Sequence, residues 1–171
     1  MRSLFPGEDK ESQVPVVDSF FLLFSPLTLA DDCQLSTPGM DSMEQLTISL
    51  INARGEVVPI KTHIADSEPE RQAGYQFVCE EVINTSTILF FYSTPIVARF
   101  HMNNVKAPLD IGFFDLHGVL IHHEVMDIYR TEAKPIYGPD APFQFALEAR
   151  AGFFKEHQFI PGKSRLVLVE R

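Results

Sequence analysis

The chain has 171 residues, 45% of them hydrophobic, and a formal net charge of −9. That length is enough to bury roughly two-thirds of the unfolded surface in one domain, so neither a metal nor a disulfide framework is required for folding. No apolar run reaches the roughly 18 to 20 residues of a membrane-crossing helix. No Lys/Arg stripe exists to neutralise phosphates, so neither nucleic acid nor anionic lipid is an expected partner.

Residues 1–45 read as a signal-like segment or a flexible tail. They hold two basic residues, Arg2 and Lys10, against eight acidic ones, so most of the negative charge sits there. Within them "SFFLLFSPLTLADDC" has the apolar length of a signal-peptide core, and Thr28-Leu29-Ala30 supplies small residues where a peptidase would cut. The residues ahead of it are net acidic, whereas a signal begins with basic ones, so export and a cytoplasmic tail are both open readings. Cys33 and Cys79 are too few for a disulfide framework and too far apart for a metal knuckle, which leaves one bridge or two thiols.

From residue 46 to residue 171 the pattern is that of one β-rich domain. "LTISLINARGEVVPIKTHIA" alternates apolar and polar residues around Arg54-Gly55, which predicts a hairpin. "DSEPERQAGYQF" predicts a helix, with Ser67 as N-cap, Glu70 completing a capping box, Pro69 in the first turn and Gly74 as the stop. "TSTILFFYS" and "IVARFHMNNV" read as strands separated by Thr94-Pro95, and "LDIGFFDLHGVLIHHEVM" as a hairpin turning at His117-Gly118. A Pro/Gly-rich loop precedes the strand "FQFALEA", the short helix "AGFFKEHQF" and the last strand "SRLVLVE". Together these predict an α+β class, mainly antiparallel β, as a partly closed β-barrel or sandwich with two short helices.

Five fragments in this order, "ADSEPERQAGYQ" (65–76), "TILFFY" (87–92), "FHMNNVKAPLD" (100–110), "FALEARAGFF" (145–154) and "PGKSRL" (161–166), resemble domain-of-unknown-function family 192. The resemblance spans residues 46–171 and implies a small prokaryotic protein, often exported, with no established activity. Asn104, Pro108, Leu109 and Asp110 stand as the family has them, whereas His101 stands where the family shows Trp. Glu148 falls on the family's Leu-Glu position.

The candidate chemistry centres on one strand. If "RFHMNNV" is extended, Phe100, Met102 and Asn104 share one face, and Arg99, His101 and Asn103 share the other. Asp110, past the Pro108 bend, could return beside His101 and fix its tautomer, as a general base or a recognition site requires. Glu148 alternates with Phe145 and Leu147, which places it on an outer face within reach of Arg99 or Arg150. The expected ligand-binding set is therefore Arg99, His101, Asn103, Asn104, Asp110 and Glu148, without a catalytic assignment.

His122 and Glu124 share a strand face but lack the helical spacing of a zinc protease, so no metal site is assigned. No phosphate loop or Gly-x-Ser-x-Gly elbow occurs, and no cofactor is expected. The resulting expectation is a cell-envelope module that binds a small molecule, a saccharide or a small acid, or another envelope component. The alternative is a hydrolase using His101 and Asp110, with or without a metal.

Overall fold

The computed structural model describes residues 33–167. The signal-like stretch that ends at Ala30 lies outside them. Seven strands are present among the described residues: β1 (Glu44–Ile51), β2 (Val57–Ala65), β3 (Ile88–Ile96), β4 (Leu109–Phe114), β5 (Leu120–Met126), β6 (Phe143–Arg150) and β7 (Arg165–Val167). They form one sheet in the order β5-β4-β6-β3-β2-β1-β7, antiparallel throughout except for the parallel β2–β3 pair. The sheet curls into a half-barrel, and at one end of it Val119, just ahead of β5, bridges Arg165 of β7 while the Leu166 N–H donates to the Gly118 carbonyl at 2.7 Å.

The parallel pair needs a crossover, and residues 66–87 supply it with α2 (Glu68–Ala73) and α3 (Glu80–Ile83). Helix α2 starts as its sequence predicts. The Ser67 side chain accepts from the Glu70 N–H, the Glu70 carboxylate accepts from the Ser67 N–H at 3.0 Å, and Gly74 closes the helix at φ +46°. Four short helices occur among the described residues, two more than the sequence predicts. The additional ones are α1 (Pro38–Ser42) and α3, while α4 (Phe153–Glu156) is the second of those expected.

Residues 33–45 carry more structure than their composition suggests. Cys33 is disulfide-bonded to Cys79, and Met40 and Met43 are buried in the core. Packed structure thus reaches upstream of Leu46.

Both faces of the central strands are covered, so β4 and β6 bury nearly every side chain. Leu109, Ile111 and Phe113 of β4 join Tyr75, Phe90, Met102 and Phe143 in one core. Phe114, from the opposite face of the same strand, joins Leu147, Phe154, Phe159 and Leu166 in the other. Both hairpins form where Gly55 and Gly118 take positive φ.

One expected strand is absent. β3 runs through Thr94-Pro95 to Ile96 with an irregular register after Phe91, and residues 97–108 carry a single bridge, Phe100 to Tyr137. Pro95 offers no N–H to the ladder, which is irregular there, and past Ile96 the chain leaves the sheet and turns in the left-handed region at Asn104, φ +57°.

Candidate functional site

On the face that carries Tyr75, Phe90 and Met102, a cleft of about 370 Å³ opens between α2 with its trailing turn and the segment 96–105. Its floor includes Phe90, Phe100 and Glu148, and Arg71, Tyr92, Gln76, Arg99 and His101 also line it. The volume lies within the range of small-ligand sites. A second groove of about 610 Å³, on the other face, is lined mostly by apolar side chains such as Leu46, Ile48, Leu89 and Phe145. The first cleft is the candidate because it alone of the two contains a buried ionisable group.

That group is Glu148. Strand β6 lies between β3 and β4, with Glu148 opposite Ile88 on one side and Ile111 on the other, so the side chain rises from the middle of the sheet. The residue is 5% exposed, and its carboxyl accepts no hydrogen bond among the described residues. Burial pushes its pKa up to about 8, because a carboxylate there would lose water without gaining a partner. At neutral pH Glu148 is therefore mainly an uncharged acid, with an O–H to donate and a carbonyl oxygen to accept.

Two tyrosines flank it. The Tyr75 hydroxyl is 3.0 Å from the Ser86 hydroxyl, and burial, reinforced by Glu148, raises its pKa. Burial also raises Tyr92, with Glu68 and Glu148 adding to the shift and Arg71 opposing it. Arg71 lies with its guanidinium carbon 5.1 Å from the centre of the Tyr92 ring. It donates to the Asp66 carbonyl at 2.6 Å, the Phe91 carbonyl at 3.2 Å and the Glu68 carboxylate at 3.2 Å. Hydrogen bonds from Gln72 and Arg71 hold the Glu68 carboxyl below its usual value.

Of the six expected site residues, three line this cleft: Arg99, His101 and Glu148. Arg99 is committed to the Asp140 carboxylate and the Pro139 carbonyl. His101 is exposed, and its Nδ1 accepts from the Asn103 N–H at 3.3 Å. Asn104 sits behind the rim, where its amide donates to the Gln76 side-chain oxygen at 3.2 Å and its carbonyl accepts from the Phe77 N–H at 2.9 Å. Asn103 and Asn104 therefore shape the rim without lining the cleft.

Asp110 does not meet His101. It is buried on the other face, where its Oδ2 accepts from the Phe154 N–H at 3.0 Å. The alternation along β4 that turns Leu109 and Ile111 toward the cleft-side core turns Asp110 away from it. The paired imidazole and carboxylate of the hydrolase reading are not assembled. His122 and Glu124 do pair, at 3.4 Å, but Glu124 also accepts from the Gly138 N–H, and no cluster of three or more metal-ligating side chains occurs among the described residues.

Glu148 pairs with neither Arg99 nor Arg150, which binds Glu156 instead. The face it shares with Ala146 is a second core rather than a wet surface. Sequence reasoning missed Arg71, Tyr92 and Gln76, which come from the helix, its turn and the next strand. The signal available for them was the position of Arg71 in the last turn of a well-capped helix.

The family model of DUF192, described as "Uncharacterized ACR", matches residues 49–166. The chain belongs to the DUF192 family. Among curated proteins none matches. The DUF192 domain here is similar to a solved structure from Sinorhizobium meliloti 1021, described as a candidate transcription regulator, with 22% identity and a TM-score of 0.65 over 74% of this chain and 95% of that one. It is also similar to a protein of unknown function from Novosphingobium aromaticivorans DSM 12444, with 18% identity and a TM-score of 0.64 over 82% of this chain and 97% of that one. At these identities the likeness shows a shared fold, the curled mixed sheet with a few short helices.

Proposed function

We propose that this DUF192 protein is a small-ligand binding module of the cell envelope, and that its site is the cleft floored by Glu148. The observation that carries this reading is the buried, unpartnered Glu148 carboxyl lining a concave surface of ligand size. Burying such a group without a hydrogen bond costs on the order of 1–3 kcal/mol. Glu148, unlike the unpartnered Asp110 Oδ1 on the other face, lines a concave surface together with the unpartnered Arg71 Nε. A bound molecule with hydroxyl or carboxyl groups would restore the missing bond, and the aromatic floor would take its apolar side. A saccharide or a small acid fits that description, as would a polar group on another envelope component.

Placement in the envelope is supported by the Cys33–Cys79 bridge, since structural disulfides persist in oxidising compartments, and by the apolar core ahead of Asp31. The test is direct. Amide shifts of Gly74, Gln76 and Val105 are followed while sugars and small acids are titrated into the full-length protein. Movement confined to the cleft is the expected result, and movement elsewhere, or none, removes the site. N-terminal sequencing of the protein made in a bacterial host addresses export, for which a start at Asp31 is expected and an intact Met1 counts against it.

A further inference from the structure

The geometry points to an uncharged, polyhydroxylated ligand, such as a neutral sugar ring, whose hydroxyl groups bond to Glu148 at the cleft floor while one face of the ring lies on the aromatic residues beside it. This inference rests on the cleft being a binding site and narrows the chemistry of what binds there.

Charge decides between the candidate classes. Two arginines line the cleft, and each faces a carboxylate, although Arg71 Nε is buried without a partner among the described residues. Arg71 is held by the Glu68 carboxylate, two backbone carbonyls and the Tyr92 ring, and Arg99 by Asp140 and Pro139. A small acid reaching the floor would bring a full negative charge where Arg71 and Arg99 already face carboxylates, Glu68 and Asp140, and where the unpartnered guanidinium donor, the buried Arg71 Nε, can be satisfied by a neutral oxygen as well. It would be desolvated there without a counter-charge of its own. A cationic ligand could pair with an ionised Glu148, but it would have to displace a proton from that buried acid.

An uncharged hydroxyl group meets neither cost. The Glu148 acid offers it one donor and one acceptor, the two functions a sugar hydroxyl complements. The half-buried Phe100 and Tyr92 rings provide apolar surface for the C–H face of a sugar, with buried Phe90 backing Phe100 edge-to-face at 5.1 Å. Gln72 and Gln76 line the same cleft with their amide groups held by Glu68, the Gln72 carbonyl and Asn104, which fixes the polar rim around that floor.

The test uses the full-length protein and four probes: methyl α-glucoside and N-acetylglucosamine as neutral sugars, succinate as an anion and choline as a cation. Expected is movement of cleft amides with a neutral sugar in the native protein and in Glu148→Gln, whose amide also donates and accepts, with at least about tenfold weaker binding in Glu148→Leu. The native affinity should fall about tenfold from pH 7 to pH 9 as Glu148 ionises, while that of Glu148→Gln stays level. Cleft binding by succinate or choline with both sugars silent overturns the neutral-ligand inference and leaves the cleft a binding site. Silence from all four probes overturns both. Should Glu148→Leu fail to fold, a native sugar affinity that does not change with pH removes Glu148 as the partner.

Discussion

Asp110 holds Phe154: the Oδ2 atom of a buried strand carboxylate accepts the backbone N–H of a residue 44 positions away, at 3.0 Å. The bond ties α4 to β4 and gives the Asp of the Pro-Leu-Asp element a structural role, while its second oxygen, Oδ1, is buried without a partner among the described residues. Asp110→Ala leaves the Phe154 N–H buried without an acceptor, and the expected loss is about 2 kcal/mol of unfolding free energy. Urea denaturation measures it. Cleft binding should be unchanged in the folded variant, and a loss of ligand affinity with stability intact would return Asp110 to the site.

The same contact explains Gly112. A Cβ there would stand 2.2 Å from Phe154 Cζ and 3.2 Å from a Leu120 methyl, in a layer where both side chains are fully buried. Neither has room to give. Gly112→Ala should cost about 1–3 kcal/mol through overpacking, read as a lower urea midpoint at unchanged slope.

Glu148 makes stability depend on pH with a definite sign. Its folded-state pKa of about 8 lies above the ordinary 4.5, so between those values the folded protein binds the extra proton. Its neutral form is tolerated at low pH, and stability is lost as pH rises toward 8 and the unfolded chain ionises more readily than the folded one. The loss is on the order of 3 kcal/mol between about pH 5 and pH 8, at 1.36 kcal/mol per unit. Glu148→Gln should lack it. Unfolding curves for the two proteins that shift in parallel with pH would contradict the buried-acid assignment.

The Cys33–Cys79 bridge closes a sequence separation of 46 and joins the start of the described chain to the end of the α2 turn. Beside it, the Gln34 N–H donates to the Phe77 carbonyl at 2.7 Å and the Phe77 N–H to the Asn104 carbonyl at 2.9 Å, which carries the tether to the cleft rim. The Cys33→Ser/Cys79→Ser double variant should lose about 4 kcal/mol by loop-closure entropy. Its Gln76 and Asn104 amides should exchange hydrogen faster than those of β4. Equal protection in both proteins would show that the rim does not depend on the bridge.

Local chemistry made much of this fold legible in the sequence. The α2 capping box and the Arg54-Gly55 and His117-Gly118 turns need only neighbours within a few positions, and each formed where the residues predicted it. The five ordered fragments likewise carried family membership. Residues 97–108 broke the pattern because their partners are distant: Phe100 bridges Tyr137, and the Tyr129 hydroxyl accepts from the Met102 N–H at 3.0 Å.

The sequence alone determined the strand-rich class, the capped helix and the residue types that any site could draw on, because these follow from backbone preference and side-chain period. Which of those residues meet was decided by the tertiary structure. Alternation placed Asp110 and Ile111 on opposite faces, but only the curl of the sheet and its covering on both sides made one face a core holding Asp110 and the other a core with a cleft floored by Glu148. The chemical character of Glu148 follows from that covering, since a carboxyl becomes an uncharged acid near neutral pH when packing removes its water and supplies no partner.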